Sequence, residues 1–115
     1  MVNQEQAFKD ITKELCELYL EKNRRYGNSF SNQFKEFGVI CATIRLNDKM
    51  ERLKSLTRNP QDCGDEPIED TLKDMANYAI MTLMELNKDK ADKQKEWWIW
   101  QVISLESLNS LMVKQ

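Results

Sequence analysis

The stretch EDTLKDMANYAIMTLMEL, residues 69–86, decides the fold. From Met75 to Leu86 nearly every position is apolar (Met75, Ala76, Tyr78, Ala79, Ile80, Met81, Leu83, Met84, Leu86), a pattern that predicts a helix over about Pro67 to Leu86, buried on several sides. Pro67 suits a first helical turn, and the acids around it complement the helix dipole. Against this apolar background Glu66, Asp70, Asp74 and Asn77 recur at intervals of four, four and three. At about 100° per residue they share a sector of roughly 80°. Carboxylates on a central helix must face solvent, pair with a cation or hold a metal, because an unpaired buried charge is very costly.

The chain before this stretch supplies neighbours for it. Phe8, Ile11, Leu15, Leu18 and Tyr19 form the stripe of an amphipathic helix from Asn3 to about Asn23, opened by a pattern like a capping box at Asn3 and Gln6. Tyr26-Gly27-Asn28 tolerates the left-handed turn that should end it. Residues 28–38, NSFSNQFKEFG, read as a loop with a short helical turn, held down by Phe30, Phe34 and Phe37. A second helix fits Val39 to about Thr57, with Ile40, Thr43, Leu46, Met50 and Leu53 on one face. Its adjoining face repeats Arg45, Lys49 and Arg52 one turn apart. After 86 the charged run NKDKADKQKE, residues 87–96, reads as a connector or exposed turn. The apolar WWIWQVISLESLNSLMV then favours a last helix, because nothing else in the chain offers a sheet to join. The expected fold is all-α: a small bundle of three core helices plus a C-terminal helical segment.

The 115 residues fit one domain. The net charge of −2 argues against general nucleic-acid binding, which draws on clustered Lys and Arg. The sum hides a polarity: residues 22–58 hold nine basic groups against three acids, and residues 62–74 hold six acids against Lys73. Such blocks can pair with each other or divide the work of a phosphate and its metal. Histidine is absent, and Cys16, Cys41 and Cys63 have no C-x-x-C spacing. This excludes common zinc sites, a histidine base and Ser-His or Cys-His nucleophile pairs. Cys16 and Cys41 fall in apolar patterns and read as reduced core residues of a cytoplasmic protein. Residues 1–20 show no signal-peptide pattern, and no run approaches a membrane span.

Three segments line up as a set: KNRRYGNSF at 22–30, IRLNDKMERLKSL at 44–56 and EDTLKDMANYAIMTLMEL at 69–86. Together they resemble the nucleotide modification associated domain family (type one), found mostly in bacteriophages and prophages, over about residues 8–87. The chain would then be one helical domain with a C-terminal extension over 88–115. More distantly, a charged helix followed by a buried helix with spaced acids is similar to the all-α nucleoside triphosphate pyrophosphatases of the MazG and dimeric dUTPase clan, whose carboxylates hold magnesium. The resemblance implies a protein of phage nucleotide or DNA-modification metabolism in the cytoplasm of an infected bacterium. Two departures stand out: Arg25 occupies a position where family members commonly have an acid, and the second helix offers Asp48 among basic residues where the pyrophosphatases carry paired glutamates.

The candidate nucleotide-binding residues are Lys22, Arg24, Arg25, Tyr26, Phe30, Arg45, Lys49 and Arg52. Arg offers a bidentate fork to phosphate, and the aromatics offer a surface on which a base can stack. Glu66, Asp70 and Asp74 are candidate magnesium ligands; alternatively, the last two pair with the basic face of the second helix. Three functions follow: a nucleotide-binding protein, including one that sequesters a host-defence nucleotide signal; a magnesium-dependent nucleotide phosphohydrolase; or a module that inhibits a host protein through its Trp-rich end. Nucleotide binding ranks first, chiefly on the resemblance, because the lack of histidine and of a complete glutamate set removes the usual hydrolytic equipment. Trp97, Trp98 and Trp100 exceed what one helix face can bury, and they predict a homo-oligomer, most simply a twofold dimer.

Overall fold

The computed structural model describes residues 3–62 and 67–113, without the side chains of Asp62, Trp98 and residues 107–113. The expectations for Cys63, Glu66 and the Trp98 side chain lie outside these described residues. The fold is all-α: α1 spans Gln4–Tyr26, α2 Ser29–Phe37, α3 Ile40–Arg58 and α4 Ile68–Val113, with a 3-10 turn at Pro60–Asp62. No strand occurs among the described residues. The chain divides into two compact units, Met1–Thr82 and Leu83–Gln115.

In the first unit, the Asn3 side-chain oxygen caps α1 by accepting from the amides of Glu5 (3.0 Å) and Gln6 (3.4 Å). The reciprocal half of a capping box is not made, because the Gln6 side chain donates to Asp10 instead. Gly27 ends α1 at φ 66°, ψ −150°, a region essentially reserved for glycine. Gly38 ends α2 in the same way, at φ 75°. Between these two glycines residues 29–37 form a full helix, where the sequence suggested a loop with one turn. The nine residues contain neither Gly nor Pro, and Phe30 and Phe34 lie one turn apart, so helix formation buries both rings. They form the core with Cys41 and Ala42 of α3, flanked by Tyr78 and Met81 of α4. The Phe30 ring lies 6.4 Å from Phe34 and 5.8 Å from Tyr78. Phe37, expected to pack inward, is exposed.

The stripe of α1 is covered only from Leu15 onward; Phe8 is 72% exposed and Ile11 is also exposed. The contacts with α4 explain this, because they fall at Glu14, Leu15 and Lys22. Cys16, one residue beyond Leu15, is exposed rather than in the core, while Cys41 is buried as expected. α3 is rotated from the expected orientation. Its inward face runs Cys41, Ala42, Arg45, Lys49, Leu53, Leu56, whereas Ile40, Thr43, Ile44 and Met50 are exposed. Small residues at 41 and 42 allow close approach to the Phe30 and Phe34 rings, and the inward lysine finds a carboxylate on α4.

α4 also departs from expectation, since residues 87–96 continue the helix instead of connecting two. That run has no Gly or Pro, and charge alone does not end a helix; Lys88 pairs with Glu85 at 2.9 Å, one turn back. Nor are residues 75–86 buried on several sides: Ala79, Ile80, Leu83, Met84 and Leu86 are exposed, while Asn77 and Tyr78 turn inward in line with Thr71 and Asp74 before them.

Thr71 has no exposed surface, and its hydroxyl has no hydrogen-bond partner among the described residues. A buried unpaired polar atom costs about 1–3 kcal/mol. Thr71→Val keeps the branched shape and removes the unpaired group, so it should stabilise the fold by about 1 kcal/mol, raising Tm by roughly 4–8 °C. Thermal unfolding followed by circular dichroism checks this; an unchanged or lower Tm would show that the hydroxyl is satisfied in solution.

Candidate functional site

Two helices set the site by presenting side chains at matching intervals. α1 offers Tyr19, Lys22, Asn23 and Tyr26, and α4 offers Asp74, Asn77, Tyr78 and Met81. Each set follows the i, i+3, i+4, i+7 spacing of a single helix face. Gly27, Ser29 and Phe30 close one end, and Arg45 of α3 enters from the side. Together they surround a cavity of about 380 Å³, toward the small end of the range of roughly 300–1,000 Å³ for small-molecule sites.

Asp74 organises the charge. One carboxylate oxygen accepts from Lys22 Nζ at 2.6 Å and the other from Lys49 Nζ at 3.0 Å, so one acid on α4 ties α1 to α3. The Asp74 side chain is 14% exposed. Burial pushes its carboxyl upward, but hydrogen bonds from Lys22 and Lys49 outweigh this and hold it below the ordinary value. Beyond the cavity, Lys73 donates to Glu14 at 2.6 Å, a contact that raises the Lys73 ammonium above its usual value. Asn77 donates to the Leu15 carbonyl at 3.2 Å.

Arg45 is the second fixed cation. Its guanidinium lies 5.8 Å from the centre of the Tyr78 ring, donates to Gln33 at 2.8 Å and reaches the Tyr78 hydroxyl at 3.4 Å. Stacking and hydrogen bonding together restrict its rotamers, so an anion bound there requires little further ordering of the side chain. The N-terminus of α2 reaches the cavity wall at Ser29, and its N-cap, Asn28, makes no side-chain capping bond. The positive end of this helix dipole therefore adds to the potential from Lys22 and Arg45.

Of the residues nominated from sequence, Lys22, Tyr26, Phe30, Arg45 and Asp74 line the cavity, and Lys49 joins them through Asp74. Arg24 and Arg25 do not line it; both pair with Glu21, at 2.8 and 3.2 Å. Arg52 and Asp70 are exposed and also lie outside the lining. Asp74 has both oxygens occupied by lysines, and no group of three metal-ligating side chains gathers among the described residues. Trp97 and Trp100 belong to the other unit. The sequence reading missed Tyr19, Asn23, Tyr78 and Gln33, although the matched spacing on two helices was a usable signal for the first three.

Fold and cavity together define a small all-α protein with a tyrosine-walled cavity that Lys22 and Arg45 line. The chain belongs to the nucleotide modification associated domain 1 family, whose model matches residues 22–86, more than half of its length. Every lining residue except Tyr19 lies within that match. Comparison with curated proteins and with solved structures finds no match. The distant likeness to the pyrophosphatases stays an expectation.

Asp74 also sets a pH dependence. Its folded pKa lies below the unfolded value of about 3.9, so its pairing contributes fully above that value and is lost as pH falls through the folded pKa. Asp74→Asn should cost about 1–3 kcal/mol at pH 7, the worth of hydrogen bonds to charged groups. The gap between the two proteins should narrow toward pH 3. Urea unfolding at both pH values checks this, and a gap constant with pH would show that the charge is not what binds the three helices.

Proposed function

We propose that this protein binds a phosphorylated nucleotide in the cavity between α1, α2, α3 and α4. The observation that supports this most strongly is Arg45, held against the Tyr78 ring beside Lys22 in a cavity whose walls include Tyr19 and Tyr26. Cations bind the phosphate, and flat aromatic rings offer a base a stacking surface. The residues need only bind; no nucleophile or histidine base is required. The family description supports a place in nucleotide or DNA-modification metabolism, and capture of a nucleotide signal of host defence uses the same contacts. Arg45→Ala should weaken binding of a nucleotide by about 10- to 100-fold, the value of one charge-assisted contact, while leaving the corresponding nucleoside nearly unaffected. Titration calorimetry with both ligands checks this. Equal loss for nucleotide and nucleoside would place the arginine away from the phosphate.

We also propose that the chain assembles with copies of itself. Trp97, Ile99, Trp100, Val102, Ile103 and Leu105 are all exposed, with Trp100 at 70%. At about 100° per residue they surround the helix rather than forming one seam. A contiguous apolar surface of this kind is uncommon on monomers. No helix among the described residues is long and apolar enough to cross a membrane, which favours protein as the cover. Light scattering at micromolar concentration should give a mass of at least twice 13.6 kDa, and Trp100→Glu should lower it. A monomeric wild-type protein would overturn the assembly.

A further inference from the structure

The geometry points to a ligand with a single phosphate, a nucleoside monophosphate; this rests on the nucleotide-binding reading and narrows it. The argument begins with charge. The cluster contains Lys22 and Arg45, which line the cavity, and Lys49, which reaches Asp74 from outside the lining; Asp74 is the only acid among the described lining residues. Three cations against one carboxylate leave two positive charges. A phosphate monoester carries about −1.5 to −2 near pH 7, which matches that surplus.

A longer phosphate chain lacks equivalent support. The next basic groups along α1 are Arg24 and Arg25, and both are committed to Glu21 at 2.8 and 3.2 Å. Further phosphates would extend beyond the cations that Asp74 organises and add repulsion against its carboxylate. Space points the same way. A cavity of about 380 Å³ suits a base, a sugar and one phosphate, with the rings of Tyr19 and Tyr26 at its wall. A charged tail of three phosphates would leave much of its length in bulk water, where such contacts are screened.

The test is titration calorimetry on the full-length protein with the common ribo- and deoxyribonucleosides and their 5′-mono-, di- and triphosphates, each with and without magnesium. The expected result is that, for the preferred base, the monophosphate binds at least about tenfold more tightly than both the nucleoside and the triphosphate, and that magnesium does not reverse this order. Tighter or equal binding of the di- or triphosphate, with or without magnesium, overturns the single-phosphate inference and leaves nucleotide binding intact. Equal binding of nucleoside and monophosphate overturns it by showing that the cations do not hold the phosphate. Absence of binding by every compound overturns both readings.

Discussion

The first unit depends on the carboxylate of Asp74. Three helices meet at it: α4 supplies the acid, α1 supplies Lys22 at 2.6 Å and α3 supplies Lys49 at 3.0 Å. Isolated surface ion pairs contribute little because solvent screens them and long side chains lose entropy. Asp74 differs in being largely buried and in satisfying both oxygens, so its desolvation is offset by two donors at once. The same arrangement that joins the helices holds two ammonium groups beside a cavity. Structural cohesion and the charge at the cavity wall thus come from the same atoms.

The rotation of α3 follows from this constraint. The helix turns Arg45 and Lys49 inward and leaves the apolar Ile40, Ile44 and Met50 exposed, while Leu46 and Leu53 stay partly covered. The aromatic cluster compensates on the same face: Cys41 and Ala42 are small enough to seat Phe30 and Phe34, and Tyr78 contacts both Phe30 and Arg45. Tyr78 thereby couples the core to the cavity wall. Its ring is apolar packing on one side and a seat for a guanidinium on the other.

Much of this was legible from the residues. The periodicity of α1, α3 and the first half of α4 placed the core helices, the Tyr-Gly pair marked the end of α1, and Lys22, Arg45 and Asp74 were singled out by charge and spacing. The rest was hidden for identifiable reasons. Periodicity reports which residues share a face but not which face turns inward, and on α3 an electrostatic partner on another helix decided that. The pairing of Arg24 and Arg25 with Glu21, three and four residues earlier, and their place outside the cavity lining are not visible in composition. The α2 helix was obscured by its Asn and Ser content, although Phe30 and Phe34 supplied its driving force. The charged run 87–96 has the polarity of a linker but the propensity of a helix, and propensity prevailed.

The hydrogen bond from Asn77 to the Leu15 carbonyl acts as a pin between α1 and α4. Sliding either helix by one turn, about 5.4 Å, would break this bond and also separate Lys73 from Glu14 and Lys22 from Asp74. Two of those three contacts, Asn77 to Leu15 and Lys73 to Glu14, involve neither of the cations that line the cavity, Lys22 and Arg45. Alignment of the helices is therefore largely independent of the cavity-wall positions Tyr19 and Asn23, and side chains there can change without disturbing how the helices register. The frame and the lining of the cavity can diversify separately.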